Sequence, residues 1–413
     1  MSTPPSTACS AISRARSRFI RSKATISSAG AAWGWASSVS PSGAVVGAIA
    51  ASRREPGEKR SGSPTSKREH AVGPCMSLPV DRLPAEDLAV VCLPDLFLDH
   101  VIELPEIDEA EETIGRIHSQ GGGKVLDVPQ QVVPGGNAAN AAHALARLGL
   151  EVDLAGRTSQ RGKAFFQCTI ARDGVGLSLV REDGELAATS VLAYGPEGTN
   201  VMLNDPGSVE GYGPEDLREA DEQAIRAADA VLVGNWASMT EHGTELVRHV
   251  VDVADRADTW TYLDAADPSR REDGEQLVAA LADVPLDVWA MNDAEVELFS
   301  GEAGLEAGAR ALAERTGARV DVHSGETAVS ARSGVVAEAE TFDVEPRHLT
   351  GAGDAFNAGN LVGDLLGLDP GERLRLAHAV AAATISHPDA RPPDAEALAA
   401  LETQAQDPTA RPT

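Results

Sequence analysis

From residue 88 onward, short apolar runs alternate with longer stretches whose apolar residues recur at helical spacing, and few folds accommodate that alternation. The spacing predicts strands over Leu88–Leu93, Val152–Ala155, Ala230–Gly234, Trp260–Asp264, Val288–Met291 and Val320–His323. It predicts helices over Asn137–Leu148, Glu215–Ala228, Thr244–Ala257, Asp293–Phe299, Glu306–Thr316, Asp354–Leu366 and Glu372–Ile385. The expected fold is therefore α/β and doubly wound, a mostly parallel sheet with helices on both faces. Two regions break the alternation. Lys124–Val133 and Thr189–Leu203 read as strands with polar interruptions, and Gly195-Pro196-Glu197-Gly198 as a hairpin tip. Strands inserted without covering helices form a small sheet of their own, expected here as a lid over the open face of the main domain.

Charge divides the chain. Residues 1–75 carry eleven Lys/Arg against three Asp/Glu, whereas residues 76–413 carry 24 against 60. The first 75 residues, rich in Ser, Ala, Gly and Arg, lack the apolar content to offset chain entropy and are expected to be disordered. They resemble a transit peptide; the reading adopted is that Met76 is the true start. Residues 76–403 form the folded domain, and 404–413 are expected to be a disordered tail. The acidic body has only two lysines, Lys124 and Lys163, which argues against nucleic acid or an anionic membrane as partner and fits solubility in a salty cytoplasm. Isolated Cys92 and Cys168 show neither metal spacing nor a disulfide framework, as in a reducing cytoplasm.

Four motifs carry chemistry. In Thr350-Gly351-Ala352-Gly353-Asp354-Ala355-Phe356 a glycine turn opens a helix. Bare N–H groups and the positive helix end suit a phosphate there, and Asp354 could take a proton from an attacking alcohol; it could also merely cap the helix. In Gly135-Gly136-Asn137-Ala138-Ala139-Asn140 paired glycines let the backbone approach a ligand, although a plain loop with an Asn cap reads the same way. It is not a dinucleotide fingerprint, which counts against a dehydrogenase. Asp99 follows the first strand in the run Pro94–Asp99, where open α/β sheets bind ligands; among apolar neighbours it needs a partner such as a sugar hydroxyl, although an edge carboxylate facing water reads as readily. Asn292 and Glu295 are spaced to share a helical face, either positioning Mg²⁺ near phosphates or forming a capping box; the two are compatible.

Together, Gly-Gly-Asn-x-x-Asn, Asn-x-x-Glu and Gly-Ala-Gly-Asp-x-Phe, in that order over about residues 86–403, resemble the ribokinase-like (PfkB) carbohydrate kinases. The resemblance implies a doubly wound α/β domain with a β lid, and ATP and Mg²⁺ used to phosphorylate a sugar or nucleoside hydroxyl. It implies Asp354 as catalytic base and Gly351, Ala352 and Gly353 as anion hole. It also implies Asp99, Gly135, Gly136 and Asn140 as holders of substrate hydroxyls, and Asn292 and Glu295 as organisers of magnesium (through water) and phosphate. Asp264 and Arg270 resemble a strand-end element beside the phosphates, while Ser324, Gly325, Glu326 and Thr350 match the nucleotide side. Leu93-Pro94 and Thr327-Ala328 depart from glycines common in the family, and His387–Arg391 has no assignable contacts. A homodimer through the lid edge is implied. A non-catalytic sugar or nucleotide sensor on the same fold is the alternative from another class. No basic cluster marks the lid, which disfavours a strongly anionic substrate.

Overall fold

Val90 to Leu93 and Ala230 to Val233 are apolar at every position because both faces of these strands are covered. Val91, Leu93, Val231 and Val233 point into a core shared with the helix Gly243–Asp255, while Val90, Cys92, Ala230 and Leu232 point the other way, onto the helices Asn137–Arg147 and Ala352–Leu365. The period-two alternation is thus present in space but invisible in the sequence. A computed structural model describes residues 77–83, 88–195, 199–239, 241–266, 274–348 and 350–406. The readings of residues 1–75, of Met76 as start and of Arg270 lie outside the described residues.

The main sheet has nine strands. Their order is Val335–Glu340, Thr327–Arg332, Arg319–His323, Val288–Asn292, Trp260–Asp264, Ala230–Val233, Ala89–Leu93, Glu151–Leu154 and Val175–Gly176. All pairings are parallel except the two that attach the Thr327–Arg332 and Val335–Glu340 hairpin at one edge. Helices cover both faces, so the doubly wound α/β expectation stands. The helix Ala352–Leu365 packs on Pro370–Ser386 so closely that a Cβ on Gly359 would lie 2.8 Å from the Ala377 Cα. Only glycine permits that approach.

A second sheet of four strands, in the order Gln130–Gly135, Phe97–Leu104, Ala187–Tyr194 and Thr199–Asp205, forms the lid. The expected lid strand Lys124–Val133 is corrected: residues 124–129 are irregular and pairing starts at Gln130. The expected Thr189–Leu203 is two antiparallel strands. Phe97–Leu104, assigned to no element from the sequence, pairs on both sides within the lid. The helix Ile107–Ser119 also went unread, although Ile107, Ala110, Ile114 and Ile117 recur along it at helical spacing; of these only Ala110 is buried. At the other end, the helix Ala395–Gln406 runs past the boundary expected at 403.

Candidate active site

Asp95, just beyond the strand Ala89–Leu93, is fully buried and accepts hydrogen bonds from the backbone N–H of Asn137 (2.6 Å) and Ala138 (2.9 Å). It therefore caps the helix Asn137–Arg147 from another strand, satisfying donors that every helix start leaves orphaned. Two glycines make room for it. A Cβ on Gly136, whose φ is +93°, would lie 2.8 Å from the Asp95 carbonyl oxygen, and one on Gly234 would lie 2.7 Å from the Ala138 nitrogen. Asn137 then donates its side-chain amide to Asp264, at the end of the strand Trp260–Asp264.

The second helix start faces the first. Gly351, with φ +84°, turns the chain into the helix Ala352–Leu365, whose first turn carries Asp354. The Asn140 side-chain amide donates to the Asp354 carboxylate at 2.8 Å. Asp99 arrives from the lid: it lies within the strand Phe97–Leu104, opposite Val133 and Thr189, and the Thr189 hydroxyl hydrogen-bonds it. This corrects the expected placement of Asp99 just past the sheet strand; the carboxylate there is Asp95. Gly135 abuts Asp99, and a Cβ on it would fall 2.2 Å from the Asp99 carboxyl carbon. Asp99, Asn140, Gly351 and Thr350 line one cavity of about 500 Å³ between lid and main domain, a volume typical of small-ligand sites.

The remaining expected residues do not line that cavity. Of these, Asn292 ends its strand and pairs in register with His323, which precedes the Ser324-Gly325-Glu326 turn. Asn292 and Glu295 form a reciprocal capping box: the Glu295 N–H donates to Asn292 Oδ1, and the Asn292 N–H to Glu295 Oε2, both at 2.9 Å. Ser324 closes the Ser324-Gly325-Glu326 turn, its hydroxyl accepting from the Glu326 and Thr327 N–H groups. A Cβ on Gly325 would meet nothing within 4 Å, so the fold does not demand glycine there. His323 was not anticipated. Its ring lies against Phe356 (centroids 4.9 Å apart), and a Cβ on Gly353 would be 3.1 Å from its Cε1. Burial pushes its imidazole down to about 4, so it stands neutral beside the glycine turn.

Residues 107–397 match the family described as pfkB family carbohydrate kinase. The chain belongs to the pfkB family. This pfkB kinase is 33% identical over 283 residues to an ATP-dependent ribose-1-phosphate kinase from Halopiger xanaduensis, an overlap of 65% of this chain and 86% of that one. Its fold is shared with the adenosine kinase of Sinorhizobium meliloti (TM-score 0.62, 19% identity, 76% of this chain and 98% of that one). It is shared as well with Arabidopsis thaliana ribokinase complexed with ribose and ATP (TM-score 0.60, 21% identity, with the same two coverages). The chain is thus a carbohydrate kinase, and the sensor and dehydrogenase readings fall away.

In this pfkB kinase four carboxylates lie near one another, Asp95, Asp99 and Asp264 buried and Asp354 half-buried. Burial pushes Asp95 up to about 7 against the pull of its backbone donors, and the Asp264 charge adds to the rise. Burial likewise lifts Asp264 to about 6, opposed by the Asn137 amide, and Asp99 to about 6. Asp354 is raised well above the usual carboxylate range, by burial first and then by the Asp264 charge, with the Asn140 amide opposing. Asp95 was legible only as a carboxylate after a strand; its capping role joins segments 42 residues apart.

Proposed function

We propose that the chain transfers the γ-phosphoryl group of ATP to a hydroxyl of a sugar or sugar-like small molecule, with Asp354 as general base. The carrying observation is the Asp354 carboxylate in the first turn of a glycine-opened helix, held by Asn140 at the cavity. The substrate oxygen attacks the γ-phosphorus and its proton passes to Asp354. The new O–P bond forms as the bond to the β,γ-bridging oxygen breaks, and that electron pair leaves with ADP. The N–H groups of Ala352, Gly353 and Asp354 are the first three of their helix and lack partners within it, so with Gly351 they offer an anion hole at its positive end. Asp99, Gly135, Gly136 and Asn140 hold substrate hydroxyls under the lid.

On the nucleotide side stand Asn292, Glu295, Ser324, Gly325, Glu326 and Thr350; Arg270, assigned there too, lies outside the described residues. Among the described residues no three His, Cys, Asp or Glu side chains cluster as a metal cage. That fits Mg²⁺ carried on triphosphate oxygens and waters, with buried Glu295 reaching it through water, where the ion would neutralise phosphate charge. We also read the enzyme as a cytoplasmic homodimer. Among the described residues no helix is long and apolar enough to cross a membrane, and Val132, Val201, Met202 and Leu203 stand exposed on the outer lid strands. Light scattering reporting a monomer would remove the dimer.

ADP release with ATP and a panel of ribose, ribose-1-phosphate, fructose and adenosine tests the reading. Turnover is expected with at least one of these acceptors, and none above the acceptor-free rate would overturn it. Two predictions sharpen the roles. The base works deprotonated, so kcat/KM is lost as pH falls through the raised Asp354 value, nearer neutrality than an ordinary carboxylate would give. Asp264→Asn removes a neighbouring negative charge, and the acid limb should move to lower pH; an unmoved limb would count against Asp354 as the titrating base. Gly135→Ala forces Asp99 aside, and KM for the sugar is expected to rise about a hundredfold, as for an ångström-scale misplacement.

A further inference from the structure

The two facing helix starts are tied to each other twice. One tie is direct, from the Asn140 amide to the Asp354 carboxylate. The other runs through Asp264. Asn137, three residues before Asn140, donates its side-chain amide to that carboxylate, and Asn357, three residues after Asp354, hydrogen-bonds it with its own side chain. Residues three apart share a helical face, so the two ties lie about one turn apart on both helices. The backbone N–H groups of Asn235 and Ala266 also donate to Asp264, and both residues sit in the left-handed region, at φ +56° and +57°. Residues other than glycine hold that conformation only where their surroundings fix it.

The second tie is anchored in the core. Arg373 donates to Asn360 Oδ1, and Asn360 Nδ2 donates to the Tyr262 hydroxyl and to Asp321 Oδ2, both at 2.8 Å. Because the hydroxyl oxygen accepts from Asn360, its own proton goes to Asn357 Oδ1, 3.2 Å away. The Asn357 amide is thereby oriented: its oxygen takes the tyrosine proton, and its nitrogen is left to donate to Asp264. In the series Arg373, Asn360, Tyr262, Asn357 each side chain donates to the next, and all four are buried. Hydrogen bonds aligned in this way and shielded from water reinforce one another. None of the four side chains lines the cavity.

We propose that Asn357 is a positioning residue: with Asp264 it holds the two glycine helices at the spacing at which Asn140 meets Asp354, and the buried series from Arg373 through Tyr262 keeps it there. The inference rests on the kinase reading above and adds residues that lie behind the base rather than at the cavity. Without the Asn357 amide the direct tie remains, but the second one opens and the Asp354 helix can pivot about the first. A general base displaced by an ångström loses about a hundredfold in rate, while nucleotide affinity does not depend on where the base stands.

The test is single-turnover kinetics of the full-length protein with saturating ATP and whichever of ribose, ribose-1-phosphate, fructose and adenosine it phosphorylates. Asn357→Ala is expected to lower the rate about tenfold to a hundredfold, with KM for ATP unchanged. Tyr262→Phe removes only the hydroxyl and leaves every Asp264 contact in place, and a loss of about threefold to tenfold is expected, the worth of one buried hydrogen bond. A cycle with Asp354→Asn separates positioning from a general loosening of the domain. If Asn357 acts through the base, Asn357→Ala slows the wild type but adds no loss to Asp354→Asn, whereas loosening would slow both alike. Thermal melts establish that each variant is folded, and if Asn357→Ala is not, Tyr262→Phe takes its place in the cycle. A wild-type rate in the folded variant, or losses that simply multiply, would overturn the proposal and leave the kinase reading intact. No phosphoryl transfer by the wild type to any acceptor would overturn both.

Discussion

Asp354→Asn is expected to lower kcat by roughly 10²–10⁴-fold, the usual worth of a positioned general base, while ATP still binds. Asn keeps the shape of Asp and an oxygen to accept from the Asn140 amide, so the 2.8 Å contact that orients the side chain survives. What disappears is proton acceptance. The substitution also removes one of four neighbouring acids whose charges raise one another's proton affinity, so the melting temperature should not fall. Loss of turnover without loss of stability separates chemistry from folding. Single-turnover kinetics with saturating ATP and acceptor provide the measurement, and a rate near wild type would remove Asp354 from its role.

Asp321→Ala is expected to cost about 3–5 kcal/mol of folding stability, the range for stripping one partner from a buried ion pair. Asp321 is fully buried on the strand Arg319–His323. It accepts from Arg373 Nη1 and Arg319 Nε, each at 2.9 Å, and from the Asn360 amide at 2.8 Å. Arg373 also donates to Ser330, and Arg319 bridges to Asp364. Asn360 and Asp364 belong to the helix that carries Asp354, and Arg373 to the helix packed against it. Burial alone would push the Asp321 carboxyl up, but Arg373 and Arg319 more than offset it and hold it below the ordinary range. A depressed carboxylate stabilises above its unfolded-state pKa, and that contribution fades as pH falls through the folded value. The gap between wild type and variant should therefore be full at neutral pH and shrink only in strong acid. Urea titrations measure it, and a gap under about 1 kcal/mol, no larger than an exposed pair gives, would contradict the network's role.

Six of the nine described sheet strands were legible because each is a short run rich in apolar residues, whereas Val175–Gly176, Thr327–Arg332 and Val335–Glu340 went unread; the helix from Ala352 was legible because Gly351 and Gly353 announce its start. Phe97–Leu104 was not, since a lid strand with partly covered faces places Asp99 and His100 inside an apolar run and blurs the alternation. The capping box of Asn292 and Glu295 follows from their three-residue spacing and is present as read. One wall of the cavity could not be read at all. His143, Asp173, Arg347 and Arg391 come from four separate segments with no common spacing, and only the packing of those segments brings them to one cavity.

The hydrogen bond from Asn140 to Asp354 joins residues 214 positions apart, and that separation sets an order of events during synthesis. A chain emerging from the ribosome has its first glycine helix long before the second exists, so the base and its orienting amide meet only after nearly the whole domain has been made. Strand Trp260–Asp264, whose terminal carboxylate takes the Asn137 amide, must be in place as well. Such non-local closure is slow to form. It also means that partly synthesised or prematurely terminated chains carry only one of the two facing helix starts. Circular permutants opened between the two helices would bring the halves together early, and their refolding rates would report how much of the barrier lies in that single closure.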